Sequence, residues 1–523
     1  MNRKLFPLSL TAALLLCLFL LGCRADRTPQ SEAAVSPTAA STAQPTAVPT
    51  PEPILLGGQA FSGAETTLRL TLTADEMPLL EQFSALKELD LSGSTCYAEI
   101  KAYAEAHPEV TVRCTVHADG QDIPNDVTEI AVSSPLDPAA LSLLTALRSC
   151  TVTEPVSPAD AATMREALPD AALAYTVSFC GLTVKSDAQT LDLSAVAPDR
   201  IDEIIPALAV LPDLTEIRLD PEEGPSLWTL EDAGVIGRAR TDVAVNHAVT
   251  VFDTDFNLAD EVVTFKDIDL KNREDEVRTV LACMPHVTRA VFDRCEIPDD
   301  RMAMLRSEFS SPKVVWRIFM KYYSCFTDVI MIRFSDNDEL RKLHDKDTAP
   351  LVYCSELRYL DLGHNRITDA YFLENMPDLE VLILAVGETT DVSALKYCKK
   401  LEYCEIFSSH VADISVLANC TELEHLNISR TNITDITPIF GLKKLKRLWL
   451  SLSPIPKEQI EAFKALMPDC VVDTRADDPT GPGWRFFGDF NLNYTPRYRL
   501  LREQMCYDRL YIRSYSEWDR PQP

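Results

Sequence analysis

The chain carries eight histidines (His107, His117, His247, His286, His344, His364, His410 and His425), and none sits at a spacing that does chemistry. There is no His-Glu-x-x-His pair, no histidine at metal-pair spacing from a cysteine, and no Cys-x-x-Cys. Gly-x-Ser-x-Gly, Walker and Gly-x-Gly-x-x-Gly loops are missing too, and with 16 glycines in 523 residues there is little material for loops that cradle phosphate. Asp336-Asn337-Asp338-Glu339 groups carboxylates as a calcium loop does. It lacks the glycine and the distal glutamate of an EF-hand and reads as a solvated turn. The sequence therefore predicts no catalytic residue, metal site or cofactor: a protein that is not an enzyme. What it does offer is a surface. Tyr359, Asp361, Ile383, Tyr403, Glu405, Phe407, His425, Asn427, Arg447 and Trp449 fall at outward positions of short strands. On strands facing solvent, rings such as Tyr403, Phe407 and Trp449 have no core role, and clustered exposed aromatics are the material of binding hot spots. The expectation is a ligand-binding face, unless the C-terminal cap folds back over it.

The elements that position these residues repeat every 22 positions. Leu357, Leu379, Leu401, Leu423 and Leu445 open the blocks. Leu360, Leu382, Cys404, Leu426 and Leu448 follow three residues later, and Leu362, Leu384, Ile406, Ile428 and Leu450 two further on. Asp369, Asp391, Asp413 and Asp435 share another slot, where a carboxylate can accept the free N–H groups of a starting turn. This is a leucine-rich repeat. One block buries too little to offset the entropy of ordering it, so blocks must stack.

The first 22 residues read as an export signal: Asn2-Arg3-Lys4, an apolar run over residues 5–21, then Leu20-Leu21-Gly22-Cys23. The run is short for a spanning helix. This end resembles the bacterial lipobox, and the resemblance implies a diacylglyceryl group on Cys23. Residues 23–53 are rich in Pro, Thr, Ala and Ser and cannot form a core. They read as a tether spanning about 30 Å as a coil and about 90 Å as polyproline II.

From 54 to 350 the strict period is lost, but a run ending in proline and then a strand recurs, at His107-Pro108-Glu109, Leu168-Pro169-Asp170, Leu211-Pro212-Asp213 and Met284-Pro285-His286. Helices are predicted over 100–107 and 160–168, the second started by Ser157-Pro158. Regular repeats occupy 351–473. Residues 474–523 are aromatic (Trp484, Phe486, Phe487, Phe490, Tyr494, Tyr498, Tyr507, Tyr511, Tyr515, Trp518) and read as a cap for an open solenoid end, or alternatively as a ligand platform. The predicted fold is α/β: a leucine-rich repeat solenoid with a parallel sheet on its concave face, longer irregular βα repeats in the N-terminal half, and a C-terminal cap.

The formal charge of -29 disfavours nucleic acid as a partner. An exported chain with 15 cysteines invites disulfides, but Cys404 holds an inward leucine slot, and Cys398 and Cys420 share the slot of Met376 and Leu442, as small buried hydrophobes would. The block at 423–442, LEHLNISRTNITDITPIFGL, resembles the repeats of bacterial internalin-type surface proteins. That resemblance implies a curved solenoid whose concave sheet binds a partner. The expected function is a lipid-anchored, outward-facing membrane protein that recognises a protein or glycan. The alternatives are an envelope scaffold for other membrane proteins and an enzyme hidden in the irregular half.

Overall fold

The computed structural model describes residues 53–475, 478–488 and 493–521. The regular zone is built as its sequence requires. Strands Tyr359–Asp361, Val381–Ile383, Tyr403–Glu405, His425–Asn427 and Arg447–Trp449 pair in parallel, each residue opposite the one 22 positions on. Val329–Arg333 extends the sheet at one edge and Val471–Asp473 at the other. Between strands the chain returns through single 3-10 turns, Tyr371–Asn375, Ser393–Tyr397, Ser415–Asn419 and Thr437–Gly441. The recurring aspartates start them: Asp391, Asp413 and Asp435 accept the backbone N–H two residues ahead at 2.7, 2.8 and 2.9 Å. Each strand leaves the sheet through a left-handed residue (His364, Val386, Ser408, Arg430, Leu452), none of them glycine.

The irregular half has a period of its own. Hairpins join Thr115–Ala118 to Gln121–Pro124, Thr176–Phe179 to Leu182–Lys185, Ala248–Val251 to Thr254–Asn257, and the end of Lys313–Met320 to Tyr323–Phe326. A shorter one joins Ile54–Leu56 to Gln59–Phe61. Every loop is two residues long, and both residues have positive φ at Gly57-Gly58, Asp119-Gly120, Cys180-Gly181 and Phe252-Asp253. That is the geometry whose twist matches paired strands. After each of the four longer hairpins the chain returns to the same place. The backbone N–H of Asn125, Ser186, Leu258 and Thr327 donates to the carbonyl eleven residues earlier, on Cys114, Tyr175, His247 and Trp316. Successive hairpins are separated by three parallel strands with helical crossovers, for example Thr190–Asp192, Glu216–Arg218 and Ala244–Asn246 with Ile201–Ala209 and Leu230–Ala239. Ser157 caps the helix Pro158–Ala167, accepting from Asp160 N at 3.1 Å.

The parallel sheet is thus interrupted at each hairpin, while beyond the first of the longer hairpins the apolar interior is continuous. One buried cluster runs from Val116 to Cys470, and a smaller one fills the first module around Leu56, Leu89 and Ile100. Among the described residues every cysteine is free, most of them buried in this interior. No helix there is long and apolar enough to cross a membrane, and Cys23 and the tether lie outside the described residues.

Candidate functional site

Strand alternation sends the ten candidate side chains out of the sheet, as expected, but not into solvent. Nine are buried and Arg447 is half-buried. The C-terminal segment lies across them. The expectation of an open aromatic ligand face is corrected by that burial: the chain's own tail occupies it, closing the solenoid along its concave side.

Trp484 is the centre of the contact, with no exposed surface. Its ring lies 5.4 Å from Tyr403 and 5.1 Å from Trp449, and meets His425 edge-on at 6.4 Å. Indole Nε1 donates to Glu405 Oε1 at 2.6 Å, an oxygen that also accepts from the Tyr403 hydroxyl. The other carboxylate oxygen, Oε2, accepts from Arg485 Nη2 at 2.6 Å. Glu405 is fully buried, and these three donors replace its water. Burial alone would push the Arg485 guanidinium down, but the Glu405 carboxylate holds it above the ordinary arginine value.

The remaining candidates serve the same docking. Arg447 Nη1 donates to the carbonyls of Gly483 and Trp484 at 2.6 and 2.9 Å, and Asn427 Nδ2 to that of Pro479 at 2.7 Å. Asp361 Oδ2 accepts from the Tyr507 hydroxyl at 2.8 Å, and burial raises the Asp361 carboxyl above its usual range. His425 Nδ1 accepts from Arg447 Nε at 3.0 Å. Burial, with Arg447 and Arg497 nearby, lowers the pKa of His425 to about 2, so its imidazole is neutral. Ile383, Phe407 and Tyr359 pack with Tyr498, Leu501, Met505 and Tyr515 in a second apolar core between sheet and tail.

Sequence reasoning named the tail's aromatics as a cap that could fold back over this face, but missed the arginines that hold it there. Trp484 and Arg485 anchor one end. At the other, Arg333 donates to the carbonyls of Cys506, Arg509 and Ile512 at 3.1, 3.2 and 2.9 Å. Ser514–Ser516 then adds an antiparallel strand to Val329–Arg333. One signal was available: residues 474–523 hold eight arginines and no lysine in a chain of charge -29. Arginine is the cation for buried pairs and for stacking on rings. Arg447 sits 4.7 Å over Trp484, Arg497 4.8 Å over Tyr403 and Arg485 5.3 Å over Tyr498. Each also keeps one buried nitrogen without a hydrogen-bond partner among the described residues, and the ring faces supply part of what is missing. Hollows remain beneath the described part of the tail. One of about 420 Å³ is lined by His425, Trp449, Val471 and Phe487, and one of about 200 Å³ by Asp361, His364, Arg485 and Tyr507.

The Asp336 cluster is a structural turn here: Asp336 accepts from the Tyr323 hydroxyl at 3.1 Å and from Arg341 at 3.4 Å.

No protein-family model and no curated protein matches the chain. Solved structures similar to it include an internalin from Listeria monocytogenes, 15% identical over 81% of this chain and 86% of that one, with a TM-score of 0.23. Internalin C2 from Listeria monocytogenes is 17% identical over 43% and 86%, with a TM-score of 0.25. A leucine-rich repeat protein of Leptospira interrogans is 16% identical over 79% and 96%, also at 0.25. The strand registers and return turns show, on their own, that this chain is a leucine-rich repeat solenoid.

Proposed function

We propose that this protein is an exported, lipid-anchored binding scaffold. Cys23 carries the lipid, residues 24–53 hold the solenoid off the bilayer, and the solenoid recognises a protein or glycan outside the cell without catalysis. The observation that carries this reading is the use made of the charged and aromatic side chains of the concave face. Glu405, Asp361 and Arg447 bond the tail directly, and His425 braces Arg447 and packs edge-on against Trp484. They build a rigid surface rather than a reaction centre. The ten concave residues are then the seat of an internal ligand, and an external partner uses what the tail leaves open.

The test joins anchor and binding. The full gene, and a Cys23→Ala variant, would be expressed with a radiolabelled fatty acid. The lipid reading requires label and membrane association in the parent and neither in the variant. Envelope and host-surface extracts would then be passed over the immobilised chain from Arg24 to Pro523. Saturable capture of a defined partner supports the scaffold; a parent that stays soluble, unlabelled and unpartnered overturns it.

A further inference from the structure

The hairpins of the irregular half serve as controls for one another. In the four longer ones, one face packs on the core and the other points outward, and the paired outward slots can be compared directly. The first slot pair holds His117 with Asp122, Ser178 with Thr183, and Thr250 with Asp255. In the fourth hairpin it holds Phe319 with Ser324. The second pair holds Thr115 with Pro124, Thr176 with Lys185, and Ala248 with Asn257; in the fourth it is Arg317 with Phe326. In three hairpins these slots hold polar residues apart from Pro124 and Ala248, and no phenylalanine. The fourth carries two phenylalanines there, and Phe319 is 55% exposed. Folding gives no reason for that ring.

The tail brings a third ring to the Phe326 side of this face. Trp518, 51% exposed, lies two residues beyond the strand that the tail adds to Val329–Arg333. The guanidinium of Arg289 lies 5.9 Å from the Phe326 ring and 5.8 Å from the Trp518 ring, and Arg317 sits 4.2 Å over Phe326. Both arginines are fixed and neutralised. Arg289 Nε donates to Asp328 at 2.8 Å, Arg317 Nε to Asp293 at 2.6 Å, and Arg317 Nη1 to Ser324 Oγ at 3.4 Å.

We infer that Phe319, Phe326 and Trp518, with the half-buried Arg317 and Ser324 on the same face, form a platform for a neutral carbohydrate chain. This rests on the binding-scaffold reading and names the ligand class and the place. A sugar presents C–H faces to rings and hydroxyls at its rim. It needs fixed donors and acceptors side by side, and the half-buried Arg317 guanidinium with the Ser324 hydroxyl it donates to provides both. An anionic polymer would find its arginines already neutralised and would meet the field of a chain of charge -29. An apolar peptide would cover the Arg317 guanidinium and the Ser324 hydroxyl without hydrogen-bonding them. Sugar hydroxyls replace their water group for group.

The experiment uses the chain from Arg24 to Pro523 and five neutral hexasaccharides: chitohexaose, cellohexaose, maltohexaose, xylohexaose and mannohexaose. Binding is read by calorimetry and by tryptophan fluorescence. Phe319→Ser installs the residue of a sister hairpin, Trp518→Ala removes the tail's ring, and Phe319→Tyr keeps an aromatic face. Both rings are exposed, so thermal melts should be unchanged. The expected result is saturable binding of at least one sugar, insensitive to salt, weakened at least about tenfold by Phe319→Ser and by Trp518→Ala and retained in Phe319→Tyr. Absence of binding to every sugar, or binding untouched by both losses, overturns the carbohydrate platform. If an extract partner is captured through Phe319 while no sugar binds, the carbohydrate falls and the scaffold reading stands. If no sugar and no extract partner binds, both fall.

Discussion

Trp484 Nε1 donates to Glu405 Oε1 at 2.6 Å across 79 residues of sequence, and neither side chain touches solvent. A carboxylate on the middle strand of the regular repeats is thereby tied to the tail, and Arg485 completes the tie at 2.6 Å on the other oxygen. Glu405→Gln leaves the Arg485 guanidinium buried without its counter-charge. Breaking one side of a buried pair costs about 3–5 kcal/mol. The loss falls on the tail, because the solenoid core from Val116 to Cys470 does not include it. The expected outcome is early proteolytic cleavage within 474–521, a red shift of tryptophan emission, and a denaturant transition for the solenoid that persists. A tail as resistant as the parent's would show that Glu405 does not hold it.

His425 makes this docking sensitive to acid. Its ordinary pKa is 6.5, and burial beside Arg447 and Arg497 lowers it to about 2 in the fold. The unfolded chain takes up a proton below pH 6.5 that the folded chain refuses, so stability is full above 6.5 and falls as pH drops toward about 2. The slope for one such group approaches about 1.4 kcal/mol per pH unit. Asp361, whose pKa burial raises, works in the opposite sense: it favours the fold at low pH, and that help is lost as pH rises through its folded value. His425→Gln keeps an acceptor for Arg447 and removes the titration. Urea midpoints between pH 4 and 7 should therefore flatten in the variant relative to the parent, and parallel curves would refute the assignment.

The regular repeats were legible in the sequence because each slot meets the same environment in successive coils. Cys404 and Ile406 were recognisable as leucine stand-ins for that reason. The hairpins were not read, although Asp119-Gly120 and Cys180-Gly181 between alternating strands are hairpin signals. Phe252-Asp253 and Lys321-Tyr322 have no glycine, so the period was hidden in half of the longer copies. The outward direction of Tyr403 and Trp449 was legible from alternation, because direction is local. That the aromatic C-terminal segment could fold back over them was legible as an alternative, but the contacts were not: Trp484 approaches from 81 residues beyond Tyr403, and no local pattern records a contact at that distance. The excess of arginine over lysine after residue 474 was the one visible trace of it.

The packing of helix Leu230–Ala239 against Cys283 and Pro285 rests on two glycines. A Cβ at Gly234 would lie 2.8 Å from the Cα of Cys283, and one at Gly237 2.6 Å from Cγ of Pro285. Gly181, in contrast, has nothing within 4 Å of its Cβ position and only its φ of +78° to object. Gly234→Ala forces backbone apart and should cost about 1–3 kcal/mol, despite alanine's better helix propensity. Gly181→Ala pays only the left-handed strain, about 1–2 kcal/mol. The two separate in kind: Gly234→Ala should also raise hydrogen exchange in Glu274–Ala282 across the contact, whereas Gly181→Ala should change only its own hairpin. Equal exchange in both variants would remove Gly234 from the packing account.

The thiols give a map of the interior that needs no substitution. Burial pushes Cys398 and Cys420 up to about 12, and Cys114, Cys295 and Cys470 up to about 11. A thiol of that kind is both shielded and protonated at pH 8, and only the thiolate attacks. Cys96 and Cys180 are half-buried, and burial raises them less. Iodoacetamide at pH 8, read by peptide mass spectrometry, should label Cys96 and Cys180 first in the native chain from Arg24 to Pro523. Cys398, Cys404 and Cys420 should react only after denaturation. Cys506 lies at the foot of the tail, where its carbonyl accepts from Arg333, so it reports on docking. It should be protected in the parent and labelled in Glu405→Gln. Native labelling of Cys404 would mean that the repeat core is open, and protection of Cys506 in the variant would mean that the tail stays seated without Glu405.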